Sequence, residues 1–254
     1  MTATVAALRS SPVKGLAQHA VDVLTLDERG VVDDRRFAVV RASGRALYTA
    51  ELRKLRGASA HWNRDTERLT ICFADGAEVE GSAAGGEPAA AHGYARRPIP
   101  GGQRVGGPFA AALSERLQED VQLVRLPVGV GGPGPITLLA LASVARLAEQ
   151  LGVDGLDPRR FKMTVELDGP AAHEEDTWDG RELAIGETRV RVGGQVPRCV
   201  LTTWDPDTYR RDADTLKAIL AYRPAMAGGE PPFGVYATVT RPGRIRVGDA
   251  VTLA

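Results

Sequence analysis

Glycine and proline break this chain at short intervals, 29 of the first and 16 of the second among 254 residues, and between them lie many short runs rich in valine and threonine. Such runs suit strands, because β-branched side chains pack well on a pleated surface, and glycine and proline supply the turns. The expected fold is mainly β with a few short helices. The length allows one large domain or two modest ones. The order of strand-like and helix-like segments lacks the regular alternation of a doubly wound sheet. No G-x-G-x-x-G follows a strand, and Walker A and G-x-S-x-G sequences are absent. Dinucleotide-binding, P-loop and nucleophile-elbow hydrolase folds are therefore disfavoured.

Local patterns give more detail. Val21, Val23 and Thr25 alternate with Asp22 and Leu24 as in a strand, and Arg36 to Val40 reads as another, closed by a hairpin turn at Ala42-Ser43-Gly44. Leu69 to Phe73 is a third, containing Cys72. Residues 80 to 107 lack a clear period and read as irregular, with at most one short strand. In PFAAALSERLQED, Phe109, Leu113 and Leu117 share one helical face behind Pro108, and VQLVRL follows as a strand. GVGGPGP, residues 129 to 135, reads as a domain junction or mobile loop. Ser143 is placed to cap a helix that turns Val144, Leu147, Ala148 and Leu151 inward and ends at Gly152. FKMTVELDG reads as a strand into a turn. ELAIGETRVRVGG reads as a hairpin, with Val190 and Val192 facing away from Arg189 and Arg191. DADTLKAILAYR reads as a short helix presenting Leu216, Ile219 and Leu220. The C-terminal stretch reads as a hairpin with Ile245 and Val247 on one side.

Charge excludes some partners. With 32 basic and 32 acidic residues there is no cationic excess for nucleic acid or an anionic membrane, and 5% aromatics provide few stacking platforms. No run approaches the ~18 apolar residues that span a bilayer. The first residues are too short and polar a stretch for a secretory signal, so the expected location is cytoplasmic. Cys72 and Cys199 are expected to be free, without zinc-ligand spacing, and the four histidines are scattered.

The most informative stretch is VPRCVLTTWDPDT, residues 196 to 208. A cysteine can be a small buried hydrophobe, and Cys72, between Ile71 and Phe73, is read that way. Cys199 follows Arg198 in an extended stretch, where the charge favours a thiolate. A thiolate serves as nucleophile, sulfur carrier or soft metal ligand. Thr202 and Thr203 offer hydroxyls to a ligand or simply suit a strand, and Asp205-Pro206-Asp207 reads as a turn.

PRCVLTTWDPDT, then LKAILAYR, FGVYATV and GRIRVGDAV, together resemble the C-terminal part of MOSC-domain proteins, the molybdenum cofactor sulfurase C-terminal domain superfamily. SPVKGL and DDRRFAVV resemble the N-terminal β-barrel domain that accompanies it. The resemblance implies an N-terminal barrel-like domain at 1–127 and a MOSC β-barrel domain at 128–254. It also implies the molybdenum cofactor, Mo-molybdopterin, with Cys199 as the protein's ligand to molybdenum. Lys14 and Gly15 match the family's P-x-K-S/G element, and Arg35 matches its D-R-x-F/W arginine. On the strand reading Arg35 and Arg36 face opposite ways, and Arg35 is the one assigned to the site. Arg160, Lys162 and Thr164 occupy the family's R-F-R-P-N element, and Arg198 precedes the ligand. Lys162 keeps a charge without the planar fork, Thr164 stands where an amide is common, and Ala140 where a serine is frequent. Glu174-Glu175-Asp176 before Trp178 resembles the family's E-D-x-W turn and is read as a solvated acidic loop.

The resemblance, which includes the amidoxime-reducing components, implies a molybdenum oxidoreductase that reduces N-hydroxylated small molecules. The chain carries no ferredoxin-type cysteine cluster and no flavin or nicotinamide fingerprint, so electrons are expected from a separate flavin or iron–sulfur reductase. Two alternatives stay open. One is a sulfurtransferase with a persulfide on Cys199; pyridoxal phosphate binding attaches to the family as a general term, but this chain has no such domain, so the sulfur would come from elsewhere. The other is a non-catalytic carrier of the cofactor.

Overall fold

The structure, a computed structural model, describes residues 3–93, 98–127 and 135–254. Its contacts group into two compact units. One comprises residues 1–10, 20–32 and 132–254, the other residues 11–19 and 33–131. This grouping does not follow a single cut at residue 127, because the first strand pairs with strands more than a hundred residues later in the chain. GVGGPGP falls, apart from Pro135, outside the described residues.

The first unit is built on a closed barrel of seven strands. They are β1 (Ala3–Ser10), β2 (Ile136–Ala140), β3 (Val165–Asp168), β4 (Glu182–Ile185), β5 (Thr188–Pro197), β6 (Pro232–Arg241) and β7 (Ala250–Leu253). The order is β3-β2-β6-β5-β4-β7-β1, and β1 pairs back onto β3 to close it. Closure leaves no barrel edge to pair with other chains. Only β2 and β3 run parallel, and a parallel pair needs a crossover, here the helix Leu141–Leu151. Gly152 ends that helix in the left-handed conformation, as expected. On β5, Val190 and Val192 are buried and Arg189 and Arg191 exposed, as the alternation required. The register of β5 on β6 shifts around Gly193 and Gly194, so the strand bends before delivering Pro197 opposite Pro232.

The second unit holds a three-stranded sheet, Ser59–Asn63, Arg68–Cys72 and Glu78–Ser82. It also holds a four-stranded sheet in the order Phe37–Arg41, Val121–Arg125, Gln103–Val105, Gly85–Pro88. The helix Phe109–Leu117 buries Phe109, Leu113 and Leu117 into a core with Phe37, Leu69, Ile71 and Leu123. The protein is thus mainly β with few short helices.

Several local expectations are corrected. Among the described residues, 80 to 107 contain three strands or strand ends rather than one, because glycine-rich strands pair through the backbone and leave no side-chain period. Arg35 ends a turn with φ 50°, which no strand residue adopts, and Arg36 directly precedes the strand that begins at Phe37. The strand near residue 23 is Val23–Asp27, with Leu24 and Leu26 inward. Residues Gly243–Arg246 pair with that strand instead of folding back as a hairpin, and Val247 is exposed while Ile245 is buried. In the helix Thr215–Leu220, Ile219 is buried and Leu220 exposed. Among the described residues no helix is long and apolar enough to cross a membrane.

Candidate functional site

In the first unit, β5 delivers the thiol. Past Pro197, the Arg198 N–H donates to Pro231 O at 2.9 Å, which extends the pairing by one residue. Cys199 is extended (φ −115°, ψ 178°), and a 3-10 turn, Val200–Thr203, begins after it. The Cys199 side chain is exposed. The two threonines clamp this turn. Thr202 N–H donates to Cys199 O at 3.2 Å, Thr202 Oγ1 lies 2.7 Å from Thr215 Oγ1, and Thr203 Oγ1 donates to Val200 O at 2.7 Å. Their hydroxyls are committed to structure.

Asp205-Pro206-Asp207 is more than a turn. Asp205 Oδ1 accepts from the Thr208 N–H at 2.7 Å, closing the loop locally. Asp207 receives both terminal nitrogens of Arg159 at 2.9 and 2.7 Å. Asp212 receives those of Arg160 at 2.7 and 2.5 Å. Forked arginine–carboxylate pairs are directional, so these two tie the thiol loop to the turn Pro158–Phe161. Arg160, expected at the cofactor, spends its fork here; its buried Nε has no hydrogen-bond partner in the structure.

Arg198 also departs from expectation. Its guanidinium is buried and donates to Phe233 O at 2.8 Å, Phe161 O at 2.8 Å and Met163 Sδ at 2.7 Å. No carboxylate pairs with it among the described residues. Burial lowers its pKa to about 10, while Tyr236 and Cys199 lie near enough to favour its charge. Gly234 makes room for this packing. It has φ 74°, and a Cβ there would meet Met163 Cε at 2.6 Å and Leu138 O at 2.8 Å. Tyr236, in the same F-G-x-Y stretch, was not singled out by sequence reasoning.

Thr164 is buried and bonded within the barrel. It is 1% exposed, its Oγ1 lies 3.2 Å from Thr137 Oγ1, and its N–H donates to Thr137 Oγ1 at 2.9 Å. The hydroxyl serves the β2–β3 pair. Thr164→Val is expected to cost about 1 kcal/mol of stability by urea unfolding, the typical worth of one hydrogen bond, and to leave cofactor content unchanged. Lys162 is partly exposed with φ 48°, a conformation uncommon for a side chain of its kind.

In the second unit, the Lys14 N–H donates to Phe37 O at 2.8 Å, and its Nζ sits 4.1 Å from the centre of the Tyr48 ring. That Nζ is buried with no hydrogen-bond partner. Burial, then the Arg35 charge, lower its pKa to about 8 against the opposing pull of Glu51. Arg35 Nε donates to Asp34 Oδ2 at 2.6 Å. Gly15 has φ 92°, and a Cβ would meet Leu52 Cδ1 at 2.4 Å, so glycine is needed there for packing. Cys72 is half-buried with its Sγ 3.3 Å from Glu78 Oε1, because alternation turns Ile71 inward and Cys72 away.

The acidic stretch is not solvated throughout. Glu175 is fully buried, and its carboxylate accepts from Ser143 Oγ at 2.9 Å and the Ala140 N–H at 3.4 Å. Ser143 therefore does not cap its helix but hands its hydroxyl to Glu175. Burial pushes the Glu175 carboxyl from an ordinary 4.5 to about 7. Its proton is held more tightly in the folded chain, so its stabilising contribution is present below pH 4.5 and lost as pH rises through 7. His173, lowered to about 4 by burial and then by Arg223 and Arg146, acts in the opposite sense. The difference between wild type and Glu175→Gln isolates the carboxyl: relative to wild type, the variant gains stability as pH rises between 4.5 and 7, by urea unfolding across that range.

Residues 126–252 match the family model of the MOSC domain, and residues 2–95 that of the MOSC N-terminal beta barrel domain. The chain is 37% identical over 124 residues to mitochondrial amidoxime reducing component 2 of Rattus norvegicus, a match covering 46% of this chain and 36% of that protein. It is 34% identical over 126 residues to mitochondrial amidoxime-reducing component 1 of Homo sapiens, covering 47% of this chain and 36% of that one. The match thus spans little more than a third of these curated relatives. The YuaD crystal structure from Bacillus subtilis gives a TM-score of 0.46 at 12% identity, covering 99% of this chain and 94% of that one.

Proposed function

We propose, because the chain belongs to the MOSC domain family, that it is a molybdenum-cofactor oxidoreductase reducing N-hydroxylated small molecules. The overall change is R–NHOH plus two electrons and two protons to R–NH2 plus water, with the electrons brought by a separate flavin or iron–sulfur protein. The relatives named for amidoxime reduction support the reaction class. The observation that carries the reading is Cys199, an exposed thiol on a turn clamped by Thr202, Thr203 and the arginine–aspartate pairs.

The residues fit the group in two respects. The exposed Cys199 sulfur is a soft donor of the kind that suits a sulfur-bound metal. Lys14 Nζ is a buried cation lacking a hydrogen-bond acceptor, which the cofactor's phosphate would supply, with Arg35 as a second cation. At the thiol turn, Cys199 would hold the cofactor's metal, which would supply a two-electron centre, and Arg198 would keep the turn rigid from beneath. A cytoplasmic location belongs to the same proposal.

The exposure of Cys199 also favours a second reading, sulfur transfer, in which a donor persulfide hands its outer sulfur to Cys199 and leaves as a thiol. One experiment separates the two. The chain is expressed in a cofactor-producing host and assayed for molybdenum by mass spectrometry, for pterin fluorescence after oxidation, and for reduction of an N-hydroxylated base by a chemically reduced dye. Near-stoichiometric molybdenum with turnover is expected. Absence of metal and pterin, with a persulfide on Cys199 after exposure to a sulfur donor, would favour sulfur transfer instead.

A further inference from the structure

Both carbonyls that hold the Arg198 guanidinium belong to phenylalanines, Phe161 and Phe233. Their rings are stacked, with centroids 4.5 Å apart and planes 21° from parallel. A third ring joins them: His173 meets Phe233 edge-on, with centroids 5.5 Å apart and planes at 76°. The stack that places the arginine's acceptors therefore rests on how His173 is held.

His173 is held from every side. Its backbone is left-handed at φ 62°, a conformation that persists in a non-glycine residue only where the surroundings over-determine it. Its N–H donates to Ser143 Oγ at 2.8 Å. Its Nδ1 meets Arg223 Nη1, and its Nε2 lies 3.1 Å from the Tyr222 hydroxyl. A guanidinium only donates, so Nδ1 is the acceptor and Nε2 carries the proton offered to Tyr222. Arg223, 8% exposed, turns its other nitrogen, Nη2, to Asp176. A planar fork can serve a carboxylate and an imidazole together; a lysine in its place can serve them less well.

We propose that Arg223 is a positioning residue for the thiol turn, acting through His173 and the Phe233–Phe161 stack on Arg198. The inference rests on the reading of Cys199 as the working group. No proton or electron moves along this path. Asp176 fixes Arg223, Arg223 fixes the ring and tautomer of His173, and the ring stack fixes the two carbonyls under Arg198. The guanidinium next to Cys199 is then in one place only. The Tyr-Arg pair at 222–223 thus has a function that its distance in sequence from the cysteine conceals.

The test uses the cofactor-free chain with two readouts. One is solvent exchange of the Arg198 Nε–H by NMR of 15N-arginine-labelled protein, assigned with Arg198→Lys. The other is the rate of iodoacetamide alkylation at Cys199, with Cys72 as internal reference. Arg223→Gln is expected to speed the Arg198 exchange about tenfold and to slow Cys199 alkylation about threefold relative to Cys72, as local opening of one network should. Arg223→Lys should recover part of both, which a simple loss of packing would not predict. If Arg223→Gln does not fold, Tyr222→Phe removes one hydroxyl and is expected to speed the exchange about threefold. Unchanged Arg198 exchange in a folded variant whose His173 ring signals have shifted would overturn the proposal. Neither readout involves metal, cofactor or substrate, so failure of the proposed reaction would leave this result standing, and the reverse.

Discussion

Cys199→Ser is expected to lower N-reductive turnover by roughly 100-fold or more, since even partners one step removed from a metal's ligands change activity 10–100-fold. A serine hydroxyl at neutral pH is neither ionised nor soft, so it cannot replace a thiolate on a sulfur-bound metal. The loss should not come from unfolding. The thiol is exposed, and what holds the turn at this residue is its carbonyl, which accepts from the Thr202 N–H and which serine retains. Stability should stay within about 0.5 kcal/mol of wild type, as for surface substitutions generally. Pterin content should fall less than turnover, because Lys14 and Arg35, the cations proposed for the cofactor's phosphate, are untouched. Cys72→Ser serves as the control and should leave turnover unchanged. Assays of turnover, metal and pterin on the two variants check this, and a Cys199→Ser protein within tenfold of wild-type turnover would remove the cysteine from the metal.

What could be read from sequence was what repeats locally. Phe109, Leu113 and Leu117 declare a helix by their spacing, Val190 and Val192 declare a half-buried strand, and Gly152 marks a helix end. The Asp205-Pro206-Asp207 turn was legible because its residues lie next to one another, whereas the 3-10 turn of Thr202 and Thr203 was read as a strand or as ligand contacts. What stayed hidden depends on partners distant in the chain. Thr164 is claimed by Thr137, 27 residues away; Ser143 by Glu175, 32 away; Arg160 by Asp212, 52 away. Each of those side chains is of a type that also binds ligands, and composition cannot tell which acceptor reaches it first. Arg35 shows a different limit. Its neighbours have strand propensity, but the backbone bends to φ 50° where Asp34 takes both the Arg35 Nε–H and the Ser11 N–H. A tertiary hydrogen bond there outweighs a local preference worth well under ~1 kcal/mol. The barrel was legible only through the family resemblance, since β1 and β3 carry no local signal of pairing across about 150 residues of chain.

Lys14→Met is expected to make the cofactor-free protein more stable while weakening its hold on the cofactor. The ammonium is buried, has no hydrogen-bond acceptor, and faces the Arg35 charge, while the Tyr48 ring and Glu51 favour its own. Its pKa falls from 10.5 to about 8, so the folded chain binds that proton less tightly than the unfolded chain does. The cost is fully present below pH 8 and is relieved as pH rises toward 10.5. A drop of this size corresponds to at most roughly 3 kcal/mol, and partial solvent access reduces it, so a gain of about 1–3 kcal/mol at neutral pH is expected from urea unfolding. Methionine fills a similar volume without a charge, which keeps packing losses small. The advantage should shrink between pH 8 and 10.5, as wild-type Lys14 loses its proton. Once loaded with cofactor the order should reverse, because a ligand bound only by the folded chain stabilises it in proportion to affinity, and the variant has lost the cation proposed to meet the phosphate. A variant that is no more stable than wild type at neutral pH, or one that keeps its full advantage at pH 10.5, would show that the buried ammonium carries no such penalty. A stabilised variant that retains the cofactor as well as wild type would separate the penalty from the binding role. On the proposed binding role, the penalty would be borne by the empty protein and returned when the phosphate arrives, the pattern of a residue kept for binding at the expense of the fold.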